Sequence, residues 1–310
     1  MTPPKFSIVI PTHNRPNHLR RAVKSLIAQD VPDSEIIVVN DGSNEDYSDF
    51  LAEFGKSVNY ITQPNALGVS VARNTGVRNA SGDWIVFLDD DDLMAPGYLN
   101  AVATAIKTET FDYCWCGVKF VFPPQHVGGK HLTQIVRKPA VAETQHEKIA
   151  NILALGASFG LAIRKEVFEE CGGFNPKFNV GEDTDLFIKL LTNEAVPYYL
   201  PCVGILKNEL HTNRLTSGTF SSYSRNYAYE NLFKCHPLFF RTYPSNHKAL
   251  LWWAFRVHVM NGNFRGTIGI SWQALQAGFL MTSIAICTIG SLYHSWFNLR
   301  TVLPKQRSPS

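Results

Sequence analysis

The sequence lacks the spacing signatures of several chemistries. Its six cysteines (Cys114, Cys116, Cys171, Cys202, Cys235 and Cys287) form no CxxC pair, and no histidine cluster has zinc spacing. That excludes a zinc finger or ribbon and a CxxC redox motif, and scattered thiols fit a reduced, cytosolic protein. There is no GxxxxGK[ST] loop and no GxGxxG after the first strand, so both glycine-rich phosphate cradles are missing. No Ser or Cys triad and no EF-hand spacing is evident. The apolar run in "MTPPKFSIVIP" is too short for a secretory signal and has no small-residue cleavage site. Acid is nearly absent from the rear third. Residues 206–310 hold eleven Lys/Arg against only Glu209 and Glu230, whereas residues 1–110 hold nine against fourteen Asp/Glu. A basic rear suits anionic lipid or a phosphorylated ligand, although a solvated basic surface gives the same count. No nucleic-acid partner is expected.

What is present is a globular composition, 45% apolar and 18% charged over 310 residues, enough for one large α/β domain and an appendage. Short apolar runs at Phe6–Ile10, Glu35–Asn40, Val58–Thr62 and Trp84–Leu88 read as strands. Between them, Asn17–Gln29 and Leu67–Ala80 have helical spacing. Strands alternating with helices predict a mostly parallel sheet with helices on both faces. Phe111–Phe122 reads as a long strand, residues 123–145 as a mobile loop, Asn179–Leu191 as a helix and residues 198–210 as a last strand. In such sheets ligands sit beyond the C-terminal strand ends. Those ends carry "PTHNR", "NDGS" and "DDDD", so polar groups gather along one edge.

The run Asp89–Asp92 is costly. At an effective dielectric near 20 and a spacing of about 5 Å, each neighbouring pair costs roughly 3 kcal/mol. Side-chain alternation puts Asp89 and Asp91 on one side and Asp90 and Asp92 on the other. An oxygen-only cluster favours Mg²⁺ or Mn²⁺, and a metal held by few carboxylates keeps positions open for substrate phosphates. One of these aspartates also suits the start of the next helix, but a cap needs one and not four.

Four segments in order, "SIVIPTHNRPNHLRRAVKSLIAQ", "EIIVVNDGSNED", "NALGVSVARNTGVRNASGDWIVFLDDDD" and "GEDTDLFIKLL", resemble family 2 glycosyltransferases of the GT-A fold over roughly residues 5–215. The resemblance implies a Rossmann-like α/β domain at 1–220 with a nucleotide-sugar half at about 1–110 and an acceptor and catalytic-base half at about 111–220. Residues 221–310 then form a helical, basic appendage. It implies that Pro11, Thr12, Arg15, Asp41, Arg73, Asn74, Asp89 and Asp90 line the donor nucleotide. Asp89 and Asp91, with His211, are implied for Mn²⁺ or Mg²⁺, and Arg214 and Asp92 for the diphosphate or the acceptor. Asp183 matches the family's general base and Glu182 its neighbour, though "GED" also suits a helix start. A base and a leaving-group stabiliser together imply single displacement with inversion.

The rear pattern from about 221 is helical and aromatic. Lys248–Met260 places Leu251, Trp252, Phe255 and Val259 on one stripe, which suits a membrane interface or packing against protein. Gly266–Leu299 has no charged residue, and a window such as Ala274–Tyr293 is long enough for a single span, although polar residues interrupt it. The Gln-x-x-Arg-Trp motif of processive synthases is missing. Length and motifs are similar to bacterial enzymes of O-antigen or capsule assembly. The expectation is addition of one sugar, from UDP-glucose or UDP-galactose, in β-linkage to a sugar on undecaprenyl diphosphate at the inner face of the inner membrane. A soluble or protein-linked glycan acceptor and a non-catalytic nucleotide-sugar scaffold are the alternatives.

Overall fold

The computed structural model describes residues 5–121, 134–137, 144–208 and 228–290, apart from positions 30, 32, 156, 179 and 261. The chain divides into two compact units, Met1–Thr212 and Asn213–Ser310.

Among the described residues the first unit is built on a nine-stranded sheet, with the strand Gln134–Arg137 (β7) off its main path. Its first four strands follow the sequence pattern: β1 (Phe6–Thr12), β2 (Ser34–Asp41), β3 (Asn59–Gln63) and β4 (Trp84–Phe87). They pair in parallel, with Ile8 opposite Ile36 and Val86. Beyond β4 the sheet is mixed rather than parallel. β8 (Ala162–Arg164) runs antiparallel to both β4 and β6 (Tyr113–Val121), while β9 (Pro197–Asn208) is parallel to β6 and antiparallel to β5 (Leu93–Met94). The strand β7 falls inside the stretch read as a loop from its paired Pro and Gly.

Period-two alternation builds two cores. Ile8, Ile10, Ile36, Val38 and Val86 face α1 (Pro16–Ile27), α2 (Ser48–Phe54) and α4 (Tyr98–Thr108), with Leu19, Val23, Phe50 and Val102 buried against them. Val9, Ile37, Val39, Ile85 and Phe87 face the other way, toward α3 (Val69–Arg78), α5 (Gln145–Leu155), α6 (Lys165–Glu170) and α7 (Glu182–Thr192). Gly76 lets α3 lie directly on β1, since a Cβ there would overlap the Val9 side chain. The chain leaves β1 toward β2 and β3, then returns to β4 on the other flank of β1. That reversal opens a crevice at the C-terminal ends of β1, β2 and β4, where such sheets bind ligands.

The described residues of the second unit are mainly helical. Residues 228–235 and 280–290 are helical, and between them lie the helices Pro237–Thr242, Pro244–Met260 and Phe264–Gln276. Leu251, Phe255 and Val259 pack with Ile270, Ala274 and Ile286 into this unit's own core, so the stripe read from Lys248–Met260 is used internally. The uncharged window 274–293 is broken. Phe264–Gln276 stops at a turn in which Gly278 has φ 81°, a left-handed conformation that glycine adopts without strain. Among the described residues no helix is long and apolar enough to cross a membrane. Residues 291–293 of that window lie outside them.

Candidate active site

Each strand end in the crevice contributes a polar loop, and the loops hold one another. Past β1, Asn14 takes φ 55°, and its side-chain carbonyl accepts the Asn44 and Glu45 N–H groups at 2.8 and 3.2 Å. At the end of β2, the Asp41 carboxylate accepts the N–H of Leu67 at 2.7 Å and of Gly68 at 2.8 Å, so it fixes the approach to α3. Pro11 lies buried in β1.

The aspartate run does not follow strand alternation. β4 ends at Phe87, and the Asp92 N–H bonds back to the Asp89 carbonyl at 3.2 Å, which closes a turn. The turn brings Asp89, Asp91 and Asp92 together, with one carboxylate oxygen from each within 4.8 Å of the others. Asp90 points elsewhere, accepting Thr12 Oγ1 at 2.8 Å and pairing with Arg15 at 3.1 Å. Asp89 and Asp91 share one side, as alternation predicts, but Asp92 joins them against it, because period-two geometry ends where the strand does.

Every member of the run has a cation. Arg15 reaches Asp90 and, at 3.3 Å, Asp91; Arg73 reaches Asp89 at 2.7 Å; Lys207 reaches Asp92 at 2.7 Å. Burial pushes Asp90 up to about 7 against the pull of Arg15, and Asp92 up to about 7 against the pull of Lys207. Burial also works against the Asp89 carboxylate, yet Arg73, Lys207 and Arg15 outweigh it and hold Asp89 below the usual range. Three oxygen donors suit a hard divalent cation. Asp92 Oδ1 is buried without a hydrogen-bond partner among the described residues, which is an acceptor left over for such an ion.

The second half of the site arrives with α7. Gly181 takes φ 82° just before it, and Glu182, Asp183 and Asp185 fill its first turn, where carboxylates suit the helix N-terminus. Arg73 links the halves. Its side chain is 4% exposed, lies over the Phe174 ring at 5.1 Å, and bonds Glu182 at 3.0 Å with Asp183 Oδ1 at 3.9 Å. Burial works against the guanidinium charge, but Asp89, Glu182 and Asp183 raise its pKa, so it is permanently charged. Burial and Asp183 push Glu182 up to about 7. Burial likewise raises Asp183 against the pull of Arg73, and its Oδ1 has no hydrogen-bond partner among the described residues.

Of the residues singled out in sequence, Thr12, Arg15, Arg73, Asp89, Asp90, Asp91, Asp92, Glu182 and Asp183 form this connected group. Asn74 does not join it. Its amide donates to the Phe174 carbonyl at 2.7 Å and accepts the Phe174 N–H at 3.0 Å, so it staples α3 to a loop. His211 and Arg214 lie outside the described residues. Lys207 was not anticipated; a single lysine in the apolar run "CVGILKN" of β9 is the signal that marks it.

A model of the family described as Glycosyl transferase family 2 matches residues 7–172. Over 231 residues the chain is 29% identical to glycosyltransferase GlyA of Streptococcus pneumoniae serotype 4, a match covering 70% of this chain and 31% of GlyA. Over 219 residues it is 28% identical to an uncharacterized glycosyltransferase of Haemophilus influenzae, covering 69% and 71% of the two chains. The chain thus spans about a third of GlyA's length but most of the second relative's. Among solved structures, S. aureus TarS 1-349 in complex with UDP-GlcNAc superposes with a TM-score of 0.59 at 15% identity, covering 96% of this chain and 92% of that one. The same protein in complex with UDP gives 0.56 at 16% identity, covering 99% and 94%. At such identities the likeness shows a common GT-A fold.

Proposed function

The chain belongs to glycosyl transferase family 2, and on that premise we propose an inverting, non-processive, metal-dependent transferase. It moves one sugar from a nucleotide-diphosphate sugar to a glycan hydroxyl. The observation that carries this reading is Arg73. One buried guanidinium joins Asp89, in the acidic turn after β4, to Glu182 and Asp183 at the start of α7. That link supports a reading in which a donor-side cluster and a base-side pair, far apart in sequence, serve one site.

Its chemistry follows from the groups. A sugar hydroxyl is a weak nucleophile, so a carboxylate must take its proton as it attacks. Asp183, held by Arg73 through Oδ1 at 3.9 Å and with its side chain 26% exposed, is the carboxylate we assign to accept it. The hydroxyl oxygen forms the new bond to the anomeric carbon, and the bond to the diphosphate breaks, its electron pair leaving with the nucleoside diphosphate. A divalent cation, when bound by Asp89, Asp91 and Asp92, neutralises charge on that leaving group. Arg73 holds Asp183 and Asp89 in fixed relation, Arg15 and Thr12 hold Asp90, and Lys207 holds Asp92. One displacement inverts the anomeric centre and gives a β-linkage from an α-linked donor.

The UDP and UDP-GlcNAc complexes of TarS favour a uridine diphosphate donor here. For the sugar we take UDP-glucose or UDP-galactose as first choices. The acceptor we take to be a sugar on a lipid diphosphate. A panel of UDP-, GDP- and dTDP-sugars against lipid-diphosphate glycans, with NMR of the product, tests the reading. A β-linked product from a UDP-sugar is expected; an α-linked product from an α-linked donor contradicts the single displacement.

The second unit supports a peripheral place on anionic membrane. From 231 to 310 there is no Asp or Glu against eight Lys/Arg. Phe264, Ile268, Trp272 and Leu275 form an exposed stripe on one helix, and Leu280, Met281 and Ile284 are exposed on the next. Apolar anchors among cations suit a headgroup layer. The chain is expected to sediment with vesicles containing phosphatidylglycerol and not with pure phosphatidylcholine, and I268S/W272S is expected to release it. Equal sedimentation of the variant and the parent chain removes this surface from the account.

A further inference from the structure

A buried phenol must find partners for its hydroxyl, whereas a phenylalanine fills nearly the same space without that demand. Tyr47, just before α2, is 5% exposed. Its ring packs against Phe50 and Tyr60, with centroids 6.3 and 5.9 Å away. Its hydroxyl oxygen lies 3.1 Å from Thr12 Oγ1, 3.1 Å from the Arg15 backbone nitrogen and 3.3 Å from Ser43 Oγ. Thr12 has one hydroxyl proton and donates it to Asp90 at 2.8 Å, so toward Tyr47 it accepts. Tyr47 in turn accepts from the Arg15 N–H and from the Ser43 hydroxyl, and Ser43 Oγ accepts the Asn14 N–H at 2.9 Å. One donor and two acceptor positions of the phenol are thereby filled.

These partners belong to the three strand ends that form the crevice. Thr12 closes β1 and Arg15 follows it, Ser43 follows β2, and Thr12 passes the contact on to Asp90 in the turn after β4. The path Ser43–Tyr47–Thr12–Asp90 therefore runs from the β2 loop to the acidic turn. Arg15 is held at both ends, its N–H by Tyr47 and its guanidinium by Asp90 and Asp91 at 3.1 and 3.3 Å. Glu182 and Asp183 are held separately, by Arg73. We propose that the Tyr47 hydroxyl is a positioning group for the donor pocket: it sets the array of Thr12, Arg15 and Asp90 against which the nucleoside diphosphate binds, and takes no part in the transfer step. This rests on reading the crevice as the donor site. A group that acts on binding alone changes donor affinity and leaves turnover at saturation as it was.

The test uses Y47F, which removes the oxygen and keeps the ring, in the full chain with Mn²⁺. UDP affinity is read by calorimetry, and kcat and KM are read with the donor that the panel above selects. Y47F is expected to weaken UDP by at least about fivefold and to raise the donor KM by a similar factor, with kcat within about twofold of the parent chain. F50L is the control for stability. Phe50 lies in the core beside the Tyr47 ring, so its truncation should lower the melting temperature at least as much as Y47F does, with UDP affinity within about twofold. T12V/Y47F should weaken UDP by less than the product of the two single factors, because both cut one path. Equal UDP affinity in Y47F and the parent chain, a loss confined to kcat, an equal loss of affinity in F50L, or single factors that simply multiply overturns the proposal while leaving the donor site in place. A parent chain that binds no UDP overturns the donor-site reading and this proposal together.

Discussion

Replacing Asp183 by Asn is expected to slow sugar transfer by roughly 10²–10⁴-fold, the usual contribution of a general base. The substitution keeps shape and removes the proton acceptor. UDP affinity should stay within about twofold, because Asp183 acts on the acceptor hydroxyl and not on the leaving group. The pH profile adds a second reading. Burial raises Asp183 above the ordinary carboxylate range, and a base works only when ionised. The rate of the parent chain is therefore full above that pKa and falls as pH drops through it. Asp183→Asn should lose this acid limb. A variant with unchanged turnover and an unchanged profile would move the base to another residue, and turnover absent from the parent chain itself would favour a scaffold.

Replacing Arg73 by Met has the largest expected effect on stability, a loss of about 3–5 kcal/mol in urea unfolding at pH 8. The physical reason is that Glu182 and Asp183 then lose the cation that touches them, and Asp89 keeps only the weaker pull of Lys207 and Arg15. The deficit should shrink as pH falls. Burial and Asp183 already push Glu182 up to about 7, above its unfolded value, so its favourable contribution is present at low pH and is lost as pH rises through about 7. Without Arg73 that pKa climbs further, and protonation relieves the repulsion. Arg73→Lys keeps the charge but not the two-pronged reach to Asp89 and Glu182, and should fall between the two. An Arg73→Met chain as stable as the parent at pH 8 would mean that these carboxylates are already neutral, which would also remove Asp183 as a base.

Much of the first unit was legible because its signals are local. Buried runs such as "FSIVI" and "EIIVV" can only be core strands once helical spacing follows them, and the polar strand ends then fall on one edge. Pairings over long separations left no such trace. Nothing near Arg73 announces Glu182, 109 residues away, and nothing near β4 announces that β8 will run against it. Strand alternation does not reach the aspartate run: β4 ends at Phe87, and the turn that follows brings Asp92 to the side of Asp89 and Asp91 while Asp90 faces Thr12. Asn74 sits beside Arg73 on α3, yet only Arg73 points at acid while Asn74 ties down Phe174. In the second unit, a lack of charge over Gly266–Leu299 hid the turn at Gly278, because glycine's backbone freedom outweighs apolar composition at that position.

The claim on which the account stands is that Asp89, Asp91 and Asp92 hold a divalent cation that anchors the donor diphosphate. Calorimetric titration of UDP into the full chain, first with Mn²⁺ and then after exhaustive chelation, tests it most directly. The account predicts saturable binding with the ion, weaker by at least about tenfold without it, and the same weakening in D91N with the ion present. Equal UDP affinity in chelator and in Mn²⁺ would contradict it.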